Sequence, residues 1–469
     1  MARPDESEKS GKSGKSGKSG KSGRAERSDS PGRRPPLPLI AAVVLALPGL
    51  YLGAASVLGL PHPELPAPAA VAVYGLAIVG AAFVLSWAGE AAQVDMSAGL
   101  ALAILALLAV LPEYAVDFVF TMRAGEVFSA QGECVPDPGG TNPCSLALAN
   151  MTGANRVLVG IGWPLVVLVA VLAARKQGRR ADSGREGDRA GVRLPRTLSA
   201  EVVFLGIATL YSLTLPLRST LTMADTVVLV AVFVGYALRL AQGPAEEPDL
   251  HGSAKWVAER PATGRRWLYG VLFAVAALII LATAEHFADG LVHTGSELGV
   301  DRFVLVQWVA PLASEAPELI VACLYARRLR AGDSLGTLLS SKVNQWTLLV
   351  GTLPLVFAIA SGSLHGLPLD DQQRVELLLT GTQSFFAVSI LVTLGLTWRG
   401  ALALVVLFAV QFGTSISLPA QTVHTVSLAL SGVYLLLGVA QLVRHRRALP
   451  RLVRDGLRTD PYRLAEEAA

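Results

Sequence analysis

Leu107–Asp117 reads LLAVLPEYAVD, and Ala310–Ile320 reads APLASEAPELI. In both, a proline immediately precedes a glutamate inside a long apolar stretch: Pro112 before Glu113, Pro317 before Glu318. Proline within a helix removes a backbone donor and displaces the carbonyl four residues earlier, here those of Leu108 and Ala313. Those carbonyls and the two carboxylates are hard oxygen ligands, suited to Ca²⁺, Na⁺ or protons rather than to soft metals. Asp117 lies one turn beyond Glu113, and Glu315 nearly one turn before Glu318, so each pair shares a helical face. An intramembrane charge costs about 2.5–3.5 kcal/mol on insertion scales. Four near one plane are hard to account for unless they bind something.

The chain around these stretches reads as membrane protein. Of its 469 residues, 52% are hydrophobic and 16% charged, with a mean hydropathy of +0.49; soluble chains carry about 25% charged residues. Apolar blocks of bilayer-spanning length recur between charged loops, without the polar stripe that a soluble helix carries. Hydropathy places about twelve spans, near 38–60, 67–92, 97–120, 145–174, 198–217, 222–241, 267–295, 302–325, 334–361, 374–396, 399–418 and 421–443.

Lys and Arg accumulate on cytoplasmic loops. The basic N-terminal tail and clusters such as Arg175–Arg180, Arg260–Arg266 and Arg327–Arg330 alternate with cation-poor loops. This pattern predicts both termini in the cytoplasm and the chain in the inner (plasma) membrane. The KSG repeat from Lys9 to Gly23 has no apolar surface to bury and reads as a disordered tail. It predicts no specific nucleic-acid partner; the partners implied are the lipid bilayer and inorganic cations. The first apolar block is too long and too far from the start for a cleavable signal peptide. Cys134 and Cys144 bracket the turn-rich segment CVPDPGGTNPC on an outer loop, where a disulfide would persist.

The two Pro-Glu stretches sit in matching surroundings. AGEAAQVD (Ala88–Asp95) precedes the first and TGSELGVD (Thr294–Asp301) the second. After them come LANMTGANRVLVG (Leu148–Gly160) and SLGTLLSSKVNQWTLLVG (Ser334–Gly351). By the loop charges the first Pro-Glu helix runs outward and the second inward. Similar sequence in opposite orientation marks an inverted repeat, an architecture common among secondary transporters.

Paired Pro-Glu helices, each followed by a Gly-Ser-Asn-type helix, resemble the α-repeats of the sodium/calcium exchanger (cation/Ca²⁺ antiporter) superfamily. The resemblance implies an all-α fold of two inverted five-helix repeats, at 67–241 and 267–418, joined by a cytoplasmic linker at 242–266. An extra helix flanks each side, at 37–66 and 419–445, with tails at 1–36 and 446–469. It implies a secondary active antiporter that binds a cation, Ca²⁺ foremost, at mid-membrane and exchanges it for H⁺ or Na⁺, with no cofactor and no enzymatic activity. Family ligand positions carry over to Glu113, Glu318, Ser314, Ser341 and Gln345, with Glu113 and Glu318 as the metal-binding carboxylates; Glu315, Asp117 and Asn155 join the candidate set.

The family's GTSLPE-like segment is here LAVLPE (Leu108–Glu113), and its GSNxxN-like segment is GANRVL (Gly153–Leu158), so hydroxyls and an amide are missing from the first repeat. In the second repeat Lys342 replaces the family's asparagine. Lys342 is expected to pair with Glu315, to compensate charge and to favour proton coupling, whereas Arg156 is expected to snorkel toward a helix end. Glu285, His286 and Asp289 form a second polar cluster that reads as a proton path or an outer vestibule. Two other functions stay open at this point: a transport-inactive or regulatory membrane protein, and an intramembrane enzyme using Glu113 and Glu318 as acid and base.

Overall fold

A computed structural model describes residues 34–61, 63–95, 111–136, 142–178, 191–243 and 250–467. The N-terminal KSG tail and Leu108, Ala109 and Val110 of the first Pro-Glu stretch lie outside these residues. The chain folds into long helices: α1 (Leu37–Leu58), α2 (Ala67–Ala92), α3 (Leu111–Gln131), α4 (Pro143–Val157) continuing into α5 (Trp163–Lys176), α6 (Ser199–Ser212) and α7 (Met223–Ala241). A short α8 (Gly252–Ala258) leads to α9 (Ala262–Leu298), α10 (Arg302–Arg327), α11 (Ala331–Asn344) and its continuation α12 (Val350–Ser361). The chain ends in α13 (Asp371–Leu391), α14 (Trp398–Ser417), α15 (Ala420–Arg444), α16 (Leu449–Leu457) and α17 (Pro461–Glu466).

Among the described residues ten helical segments are long and apolar enough to cross a membrane. The spans expected at 97–120 and 374–396 correspond to α3, whose preceding residues are not described, and to α13. The latter is helical throughout but carries Glu376, Thr380, Thr382, Gln383 and Ser384 on a buried face. Its hydropathy is lowered by groups that face protein rather than lipid, so a count of twelve does not follow from apolarity alone.

The inverted repeat is visible in the backbone. The α4–α5 segment is interrupted by a π-turn at Leu158–Gly162, and α11–α12 by one at Gln345–Leu349. Each begins three residues after the aligned positions Asn155 and Lys342. Single π-turns inside α-helices concentrate at functional sites. Two small antiparallel ribbons repeat the relation: β1 (Gly191–Arg193) pairs with β4 (Gly395–Thr397), and β2 (Thr220–Leu221) with β3 (Leu367–Pro368). The two strands of each ribbon belong to loops that alternating spans place on the same side. Each Pro-Glu helix packs on the third segment of the opposite half, α3 on α12 and α10 on α4. The two halves are thereby interlocked around α3 and α10, and α1 lies outside them against α2 and α9.

Cys134 and Cys144 are joined by a disulfide with Cα atoms 6.0 Å apart. It ties the end of α3 to the first turn of α4.

Candidate cation site between the two halves

Pro317 lies inside α10 and sets the Ala313 carbonyl free of the helical ladder. Glu113 and Asp117 of α3 and Glu315 of α10 are buried, and Glu318 lies at the wall of a crevice. The carboxylates of Glu113, Glu315 and Glu318 stand close enough to act on one another electrostatically. Two hydroxyl residues accompany them: Ser314, whose Oγ donates to the Ala310 and Pro311 carbonyls at 3.4 Å, and Ser341, both lining the same crevice as Glu318. Gln345, the first residue of the second π-turn, donates to Glu315, while Asn150 Nδ2 donates to Asp117 Oδ1 at 2.8 Å.

What these side chains lack is more informative. Among the described residues, Glu113 Oε2, Asp117 Oδ2, Asn155 Oδ1, Glu315 Oε2, Glu318 Oε2 and Gln345 Oε1 are buried oxygens that accept no hydrogen bond from the protein. A buried acceptor without a donor costs about 1–3 kcal/mol, more when charged. So many acceptors, all from the two Pro-Glu helices and their partner helices, fit a cation that is not part of the protein. Among the described residues no three His, Cys, Asp or Glu side chains close into a metal cage; the arrangement is open and mixes carboxylates with amides and hydroxyls.

A crevice leads to these groups. About 320 Å³ in volume, it is lined by Glu90 and Gln93 at the end of α2, by Tyr325, and deeper by Pro112, Ser314, Glu318, Ser341 and Asn344. Tyr236 of α7 forms part of its wall and hydrogen-bonds Ser340 at 2.8 Å.

Two cations at the site behave differently from the sequence reading. Lys342 Nζ donates to the Asn155 carbonyl at 2.6 Å rather than forming the expected pair with Glu315. It is buried, lies over the Trp346 ring at 5.8 Å and remains within electrostatic reach of Glu315. The ammonium of one repeat is thus held by the backbone of the aligned position in the other. Arg156 does not snorkel: it is 0% exposed. It forms an ion pair with Glu376 of α13, donates from Nε to the Thr152 carbonyl at 3.1 Å and covers the Trp308 ring at 5.1 Å. Gln307 Nε2 donates to the same Glu376 at 3.1 Å. Sequence reasoning missed Glu376, although a buried arginine demands a counter-ion and Glu376 is the one acid within the expected span 374–396.

The Glu285, His286 and Asp289 cluster does not reach the carboxylate centre. Arg123 of α3 pairs with Glu285 and Asp289, whereas the His286 ring lies against Tyr74 of α2 at 5.3 Å.

Close approach of α4 to α10 depends on Gly153. A Cβ there would run into the carbonyl of Gln307 and the Pro311 ring. Gly153→Val is expected to destabilise the protein by about 1–3 kcal/mol, the usual cost of overpacking, and to lower cation affinity as α10 is displaced. Thermal unfolding and Ca²⁺ binding on the purified variant check this; an unchanged midpoint would contradict the packing described.

The comparisons with known proteins bear on the same architecture. The family model described as "Sodium/calcium exchanger protein" matches residues 67–241 and 268–417. No curated protein matches the chain. The crystal structure of the H⁺/Ca²⁺ exchanger CAX is similar, with 38% identity, a TM-score of 0.77 and coverage of 92% of this chain and 98% of that one. Native YfkE shares the fold at 12% identity and a TM-score of 0.53, over 84% of this chain and 100% of that chain. The chain therefore belongs to the sodium/calcium exchanger family, as a multi-pass membrane transporter of inorganic cations and not an enzyme.

Proposed function

We propose that this protein exchanges Ca²⁺ for H⁺, taking both at the carboxylates of Glu113 and Glu318, with Glu315, Ser314, Ser341, Gln345 and Asn155 completing the oxygen set. The observation that carries the reading is the group of buried oxygens without donors where the two Pro-Glu helices meet. Hard, partly anionic oxygens suit Ca²⁺. The same carboxylates without their divalent ion are costly to keep charged at this depth and take up protons instead. Ca²⁺ and H⁺ then compete for one site, which is what an exchanger requires. By the loop charges the crevice past Glu90 opens to the cytoplasm, so the described state is open inward. Rearrangement of the two halves would expose the site to the other side.

Protons are preferred to Na⁺ as the coupling ion because of Lys342. Its ammonium occupies the family's asparagine position and is spent on the Asn155 carbonyl, so a fixed cation stands where a coupling sodium would take a ligand. The similarity to a structure named as an H⁺/Ca²⁺ exchanger points the same way. In proteoliposomes free of Na⁺ and loaded with a pH-sensitive dye, inward Ca²⁺ movement is expected to drive protons outward. With Lys342→Asn, an imposed Na⁺ gradient is expected to begin driving Ca²⁺ uptake. No proton movement in the first assay, or unaltered ion dependence and stoichiometry in the second, would overturn the proton-coupling assignment.

A further inference from the structure

The end of the chain presents three faces. After α15 ends at Arg444, α16 lies against the first turns of α6. Its docked face is fixed in rotation. Leu452, Asp455 and Gly456 are buried; Arg196 donates to Asp455 Oδ2 from Nε at 3.1 Å and from Nη2 at 2.7 Å. Arg239 Nε donates to the Gly456 carbonyl at 2.8 Å. A Cβ on Gly456 would press on the Ser199 carbonyl and on Val203, so glycine is what lets the helix sit this close.

The other two faces are turned away from this docked face. Leu449, Val453 and Leu457, at four-residue spacing, are 37%, 39% and 41% exposed. Beside this stripe Arg451, Arg454 and Arg458 are exposed, and Arg454 Nε lies 3.8 Å from Asp455 Oδ1 at the edge of the docked face. Three spans end at this level: α6 begins at Ser199, α7 ends at Ala241 and α15 ends at Arg444. The helix is therefore held at the boundary between bilayer and water, with its rolling angle set by the core.

We propose that α16 is a docked interfacial anchor for anionic phospholipid, with Leu449, Val453 and Leu457 entering the acyl boundary and Arg451, Arg454 and Arg458 binding headgroup phosphates. An apolar stripe contiguous with a basic face is the pattern of a helix lying in the interface, and basic residues there attract anionic lipid. A soluble acidic partner would use the basic face and leave the stripe in water. The stripe's place beside three span ends favours lipid.

The test uses the full chain with Val453→Cys in a Cys323→Ala background, labelled with an environment-sensitive fluorophore. It is reconstituted in phosphatidylcholine or in equal parts phosphatidylcholine and phosphatidylglycerol. A blue-shifted probe is expected, quenched several-fold more by headgroup-spin-labelled phosphatidylglycerol than by its phosphatidylcholine counterpart. Each basic residue near an anionic surface is worth about fivefold, so Arg451→Gln/Arg454→Gln/Arg458→Gln should erase this preference while the arginines that dock the helix remain. The preference should also weaken at high salt, where surface attraction is screened. Equal quenching by the two lipids, a probe that stays in water, or a preference that survives the triple substitution would overturn the proposal.

Discussion

Replacing Glu113 and Glu318 together by glutamine is expected to reduce Ca²⁺ binding by roughly 10²–10⁴-fold and exchange to background. Glutamine keeps the shape of each side chain and removes its charge. A bond to a charged group contributes about 1.5–3 kcal/mol, so two neutral replacements cost about 3–6 kcal/mol at the ion, which is that range in Kd. Exchange fails for a second reason. Glutamine imitates the protonated acid but has no proton to release, so even a variant with residual affinity cannot complete a cycle in which Ca²⁺ and H⁺ alternate. Asp117→Asn offers an internal comparison. One Asp117 oxygen already accepts from Asn150, so the loss there should be about tenfold or less, one partial ligand at 1.4 kcal/mol per tenfold. Equilibrium binding of radiolabelled Ca²⁺ to the purified variants separates the two cases. Equal losses at Asp117 and at the glutamates would mean that the ion sits elsewhere along α3.

The second large effect concerns stability. Arg156→Met leaves Glu376 buried among α4, α10 and α13 without its counter-ion, and removing one partner of a buried pair costs about 3–5 kcal/mol. The companion Arg156→Met/Glu376→Leu removes both charges, and such replacements are often neutral or stabilising. The double variant is therefore expected to recover most of what the single one loses. Arg156→Lys should recover little, because the guanidinium both meets Glu376 and lies over Trp308, and a lysine ammonium cannot reproduce that planar contact. Thermal unfolding in detergent, read together with ligand-free size exclusion, gives the ordering. If Arg156→Met matched the parent, the pair would contribute nothing to stability and the interlock of the two halves would rest on their other contacts.

Much of this architecture is legible along the chain because depth in a membrane is written in one dimension. The apolar blocks place Glu113 and Glu318 within spans, and the repeated Pro-Glu pairs reveal two related halves. Rotation about each helix axis, and the identity of the helix opposite, are not written that way. Arg156 and Glu376 lie 220 residues apart in sequence, and only the fold shows that they face each other. Charge balance in the sequence points Lys342 to Glu315, whereas the close approach of the two third segments brings the Asn155 carbonyl to it first. The π-turns at Leu158–Gly162 and Gln345–Leu349 have no residue signature, since neither segment carries a proline or glycine pattern that the other shares. Docking of α16 turns on Arg196 and Arg239, whose partners Asp455 and Gly456 lie 259 and 217 residues further along the chain.

Radiolabelled Ca²⁺ uptake into proteoliposomes under an imposed pH gradient, with no Na⁺ present, tests the central claim most directly when run beside Glu113→Gln/Glu318→Gln. The account predicts uptake that follows the pH gradient in the parent protein and is absent in the variant. Uptake that ignores the pH gradient, or that persists in the variant, would contradict it.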